Sequence, residues 1–165
     1  MRAFPLLCIS LLAMLHPCNA QVSDIDQLAS KYLDQATGSA RTLIKAIERT
    51  GGCRDERAPS PSWDKEYKLY SIHIAAAATS AALQKIYDSP VPKTVRVTQL
   101  RFEVADYALK MNCLNAADEE YREILKVDDP SSRDRARVGI DDVRDRRKSR
   151  PESPFDQRFS FPSRR

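Results

Sequence analysis

Glycine is nearly absent from this 165-residue chain, which holds four. Phosphate-cradling loops and nucleophile elbows need clustered glycines, and the one pair here is Gly51-Gly52. Histidine is scarcer still: His16 and His73 are the only two. There is no His-Glu-x-x-His and no Glu-x-x-His, so no metal site is expected. The four cysteines form no Cys-x-x-Cys, which argues against a redox-catalytic pair. Beyond residue 15 no apolar run approaches the eighteen or so residues that span a bilayer. The nearest, residues 72–83, is alanine-rich and interrupted by His73, Thr79 and Ser80. Asn-x-Ser/Thr acceptors are missing, so nothing signals N-glycosylation.

What is present begins with a leader. Met1-Arg2 is a basic start, and residues 3–15 are apolar except for Pro5 and Ser10. Pro17 is expected to break any helix there, and Cys18-Asn19-Ala20 sets small residues before a cleavage at Gln21. This is the layout of a secretory signal peptide over residues 1–20. The expectation is a periplasmic or secreted protein with no transmembrane segment in its mature chain. Leu15-His16-Pro17-Cys18 departs from a lipobox at His16 and Pro17, where small residues are needed. Cleavage leaves 145 residues, enough for one domain, with Cys53 and Cys113 the only cysteines.

Charge is unevenly spread. Residues 21–130 carry 15 basic and 17 acidic side chains, whereas residues 131–165 carry 11 basic and 6 acidic. A near-neutral domain with a basic end is not a uniformly basic nucleic-acid binder, and no nucleic acid is expected as partner.

The apolar periodicity is helical throughout, which makes the fold class all-α, a small bundle of four to five helices. The first helix has an N-cap at Ser23 with Asp26 following, continues through Leu28, Leu33, Leu43 and Ile47, and stops at Gly51-Gly52. The second, capped by Ser60 or Ser62, runs from Trp63 to Asp88 with Tyr67, Tyr70, Ile74, Ala77, Ala81, Ile86 and Tyr87 in its pattern. After Ser89-Pro90-Val91-Pro92, a third spans residues 94–111 with Val97, Leu100, Val104 and Ala108 inward. A fourth, capped by Asn115, ends at Asp128-Asp129-Pro130, and a fifth opens at Ser132 with Ala136, Val138, Ile140 and Val143. Residues 21–146 form the helical domain. From Arg147 to residue 165, proline and charge replace apolar period, and a disordered basic tail is expected.

Ala117-x-x-x-Tyr121, Val104-Ala105 and Val138-Gly139 fall where a tetratricopeptide repeat places its Ala-x-x-x-aromatic step and two successive Leu-Gly steps. Residues 100–143 therefore resemble one tetratricopeptide-like helical hairpin plus the next helix. Arg101 stands where that family has Trp, and Ala108 and Asp142 stand where it has Tyr. The resemblance implies a protein-interaction scaffold without catalytic machinery.

Three groups of residues are candidates for function. Cys53 and Cys113 each sit at a helix end and read either as a disulfide or as two separate free thiols. Arg144, Arg146, Arg147, Lys148 and Arg150 form a basic cluster able to hold an anionic surface or polymer, or a solvated helix end. Phe155, Phe159 and Phe161 in the tail resemble a docking peptide. His73 reads as a partly buried structural side chain, or as the base of an enzyme. The acidic residues 118–123 read as a solvated helix face. The reading favoured is an exported, non-catalytic module that binds another protein; the alternative is an anionic-surface binder led by the arginines.

Overall fold

A computed structural model describes residues 16–53, 63–90 and 92–149 of the chain. The leader core at 1–15, the connection at 54–62, and Arg150, Phe155, Phe159 and Phe161 lie outside the described residues. Five helices follow in order: α1 His16–Arg49, α2 Asp64–Ile86, α3 Thr94–Lys110, α4 Leu114–Ile124 and α5 Pro130–Ser149. Among the described residues there is no strand, as the periodicity predicts.

α1 starts earlier than the sequence suggests. Pro17 lies inside the described part of α1, close to its N-terminal edge. Ser23 is an interior residue of α1, not an N-cap. α5 starts at Pro130, where a missing N–H costs nothing and the fixed φ suits a helix. α4 begins at Leu114 with Cys113 at its N-cap position, so Asn115 is a first-turn residue and does not cap. α5 continues to Ser149, making Arg147 and Lys148 helical and not the start of a tail.

Three helices end alike. After α1, Gly51 N–H reaches Glu48 O and Gly52 N–H reaches Ile47 O. Asp88 N–H to Lys85 O with Ser89 N–H to Gln84 O closes α2, and Asn112 N–H to Leu109 O with Cys113 N–H to Ala108 O closes α3. Each is a Schellman motif with a left-handed residue at its corner: Gly51 at φ 69°, Asp88 at 52°, Asn112 at 62°. Asp and Asn tolerate that region because a short polar side chain bonds locally.

α1 and α2 form a long antiparallel pair, and α3 packs across both. α4 runs antiparallel to α3 and α5 antiparallel to α4, so α3 and α5 are parallel neighbours. The core is continuous: Leu43 and Ile47 of α1, Tyr70 and Ile74 of α2, Val104 and Ala108 of α3, Leu114 and Ile124 of α4, and Val143 of α5. Some residues whose period points inward face solvent instead. Ile86 (71% exposed), Tyr87 and Val138 are outside, and their places inside are taken by Gln84 and Gly139.

Gly139 has a steric reason. A Cβ there would lie 2.4 Å from Cζ of Tyr121, so only glycine lets the ring lie flat on α5. Tyr121 in turn donates to Asp106 Oδ1 at 2.6 Å, locking α4 to α3.

Candidate functional site

Cys53 and Cys113 are joined in a disulfide, with Cα atoms 4.8 Å apart. The bond ties two Schellman ends together, those of α1 and α3. Cys53 N–H also donates to Met111 O at 3.1 Å. Gly52 sits at φ 87° with that same carbonyl so close that a Cβ would come to 2.3 Å. The glycine pair thus ends α1 and also permits the approach that sets the sulfurs together.

Glu120 is the largest departure from expectation. It belongs to the acidic run 118–123, yet it is 2% exposed and faces the core. The step Cys113, Ala116, Ala117, Glu120, Tyr121, Ile124 follows the buried side of α4, and Glu120 simply lies on it. It accepts from Arg101 Nη1 at 2.7 Å, Tyr70 Oη at 3.2 Å and Tyr67 Oη at 3.3 Å. Burial pushes its carboxyl above the ordinary range, with Arg101 and both tyrosines pulling the other way. Burial and the nearby Glu120 charge also push the Tyr67 and Tyr70 phenols upward, so both remain donors at physiological pH. The members of this cluster satisfy one another, and what they do is join α2, α3 and α4. Arg101 is thereby half of a buried ion pair.

The basic cluster on α5 is committed to its own chain. Arg144 Nη1 meets Asp141 Oδ1 at 2.7 Å, and Lys148 Nζ meets Asp145 Oδ1 at 3.2 Å. Arg146 Nη1 donates to the carbonyl of Leu109 at 2.8 Å, filling an acceptor at the end of α3. Arg147 reaches Asp118 Oδ2 at 3.2 Å and Asn115 Oδ1 at 2.8 Å. Arg146 and Arg147 therefore stitch α5 to α3 and α4. His73 is half-buried, and its Nδ1 has no hydrogen-bond partner among the described residues. Among the described residues no group of three potential metal ligands exists.

Between α3 and α5 lies a groove of about 470 Å³. Val95, Thr98 and Phe102 of α3 form one wall, and Val127 and Asp129 from the α4–α5 connection the other, with Arg135 at the end. Arg135 is held in place: its guanidinium carbon lies 4.0 Å from the Phe102 ring centroid, and Nη2 donates to Asp106 Oδ2 at 2.6 Å. Asp129 accepts from the Ser132 N–H at 2.9 Å, and contacts with Ser132 and Ser131 hold its carboxyl below the usual range. The groove thus has an apolar floor and polar groups held in place at its rim. Helical periodicity does not by itself disclose this groove. Its signal in the sequence is the step Val95, Thr98, Phe102, a second stripe on α3 beside the core stripe Val97, Leu100, Val104.

No family model, curated protein or solved structure matches this chain. Its function must therefore be argued from its own residues.

Proposed function

We propose that this chain is an exported, non-catalytic binding module that holds an extended apolar segment of another protein in the α3–α5 groove. The observation that carries the reading is the groove wall Val95–Thr98–Phe102, whose aromatic ring is held beneath Arg135 by the chain's own contacts. A preordered groove loses little entropy when it is filled. The tetratricopeptide-like resemblance of residues 100–143 implies the same kind of role, and Tyr121 lying on Gly139 packs α4 closely on α5. The Cys53–Cys113 bond accords with export, because disulfides persist in oxidising compartments. No helix among the described residues is long and apolar enough to cross a membrane.

A photo-crosslinking side chain at position 99, on the groove edge, tests the proposal in exported protein. The expected result is a cross-link to one extended apolar segment of another exported protein. Val95→Asp, which places a charge on an exposed site of the groove, should abolish that product without unfolding the chain. Cross-linking undiminished by Val95→Asp would sink the reading.

A further inference from the structure

α2 has a second apolar face that the groove does not use. From Leu69 to Gln84 no Asp, Glu, Lys or Arg occurs. Tyr70, Ile74, Ala77 and Ala81 point into the core. On the opposite side Ile72 is 65% exposed and Ile86 71%, with Ala75, Thr79 and Ala82 exposed between them and Leu69 and Tyr87 on the flanks. A helix on a solvated surface ordinarily shows water a polar face, and one apolar all round is ordinarily covered. Among the described residues nothing covers this face.

Its pattern suits a second α2. Ile72, Ala75, Thr79, Ala82 and Ile86 advance by three, four, three and four residues, the seam along which two helices pack. Ile72 and Ile86 stand equally far on either side of Thr79. An antiparallel pair on a two-fold axis through Thr79 therefore sets each Ile72 beside Ile86 of the partner subunit, while the small central residues let the backbones approach. Two-fold contacts are self-complementary in this way.

Charge is compatible with the same orientation. Lys68, ion-paired with Asp64 of its own chain at 2.7 Å, lies toward one end of α2, and Asp88 lies just beyond the other. The antiparallel arrangement brings Lys68 toward Asp88 of the partner subunit. A parallel one would place Lys68 against its own copy. A lipid surface fits less well, because a membrane-lying helix backs its apolar face with a cationic, solvated one. The back of α2 is protein core.

We infer that the exposed face of α2 is a homodimer interface, two copies pairing antiparallel about Thr79. A helix of 23 residues offers about 35 Å of contact. One helix pair with its flanks buries on the order of 1,000 Å² in total, at the low end for stable association, so the dimer is a weak one with a micromolar dissociation constant.

Sedimentation velocity on the disulfide-intact exported chain, across a concentration series, tests this. The expected result is a concentration-dependent dimer. Ile72→Glu with Ile86→Glu, both at exposed sites, should weaken it more than tenfold while leaving the monomer's thermal midpoint unchanged. Thr79→Cys should oxidise to a covalent dimer, and Lys110→Cys, exposed on α3, should not. A chain that stays monomeric up to roughly hundredfold above the micromolar range would overturn the inference. So would a dimer indifferent to the double substitution, or a monomer that binds neutral phospholipid vesicles through the same isoleucines. None of these readouts involves the α3–α5 groove, so either proposal can fail alone.

Discussion

The Arg101 guanidinium donates to the Glu120 carboxylate at 2.7 Å in the interior, where α3 meets α4 beneath two tyrosines of α2. Removing one ion of a buried pair strands the other without water, a loss of about 3–5 kcal/mol. Glu120→Met is therefore expected to lower the urea midpoint severely, and Arg101→Met similarly. The double variant Arg101→Met/Glu120→Met should lose less than the sum of the two. It should not recover fully, because Tyr67 and Tyr70 then lack their acceptor. Additive losses in the double-variant cycle would show that the pair is not coupled.

Gly139 and Gly38 make a contrasting pair. A Cβ on Gly139 meets the Tyr121 ring at 2.4 Å, whereas one on Gly38 meets nothing within 4 Å. Gly139→Ala should destabilise by about 1–3 kcal/mol through overpacking. Gly38→Ala, on an exposed face of α1, should stabilise by about 0.5–1 kcal/mol through helix propensity. Thermal unfolding of the two variants side by side gives opposite signs if the Tyr121 contact is what fixes Gly139.

Local signals are legible in the residues alone, and nonlocal ones are not. Gly51-Gly52 marks the stop of α1 because glycine suits a left-handed corner whatever surrounds it. The left-handed Asp88 and Asn112 carry no such mark, since those residue types adopt that region only in context. The core side of α2 is blurred: with apolar residues on both sides, periodicity cannot say that Ile86 is outside and Gln84 inside. Glu120 looks solvated because a carboxylate in an acidic run usually is. Its i, i+4 relation to Ala116 and Ile124 is the available clue, and only Arg101 and the two tyrosines make its burial tolerable.

Pairing Cys53 with Cys113 closes a loop with a sequence separation of 60. On the chain-entropy model such a link stabilises by about 4 kcal/mol. Cys53→Ser with Cys113→Ser, or reduction of the wild type, should lower the thermal midpoint by roughly 10–15 °C, given the size of the domain. The disulfide joins ends already held by the bond from Cys53 N–H to Met111 O, so the helical circular dichroism below the transition should persist. Non-reducing mass spectrometry finding two thiols in the native protein would remove the premise.

Asp26 links α1 to the far end of α2, accepting from Gln84 Nε2 at 2.6 Å and Ser89 Oγ at 2.7 Å. Gln84 is itself fully buried and accepts from the Lys93 N–H at 2.9 Å, so one carboxylate organises the junction of three helices. Those hydrogen bonds, Gln84 first and Ser89 second, hold the Asp26 carboxyl below its ordinary value of 3.8. A depressed native value means the unfolded chain binds the proton more readily. The resulting stabilisation is present above 3.8 and is lost as pH falls through the lower native value. Asp26→Asn keeps an oxygen acceptor but not the charge, so it isolates this contribution. Urea unfolding at pH 6 should find the wild type more stable than Asp26→Asn, with the difference shrinking to nothing in strong acid. Glu120 works in the opposite sense, because its raised value gives stability below 4.5 that is lost as pH rises. The comparison must therefore be made between variants at each pH, not along one protein's profile. A difference that is constant from pH 6 into strong acid would mean that Asp26 acts by shape and not by charge.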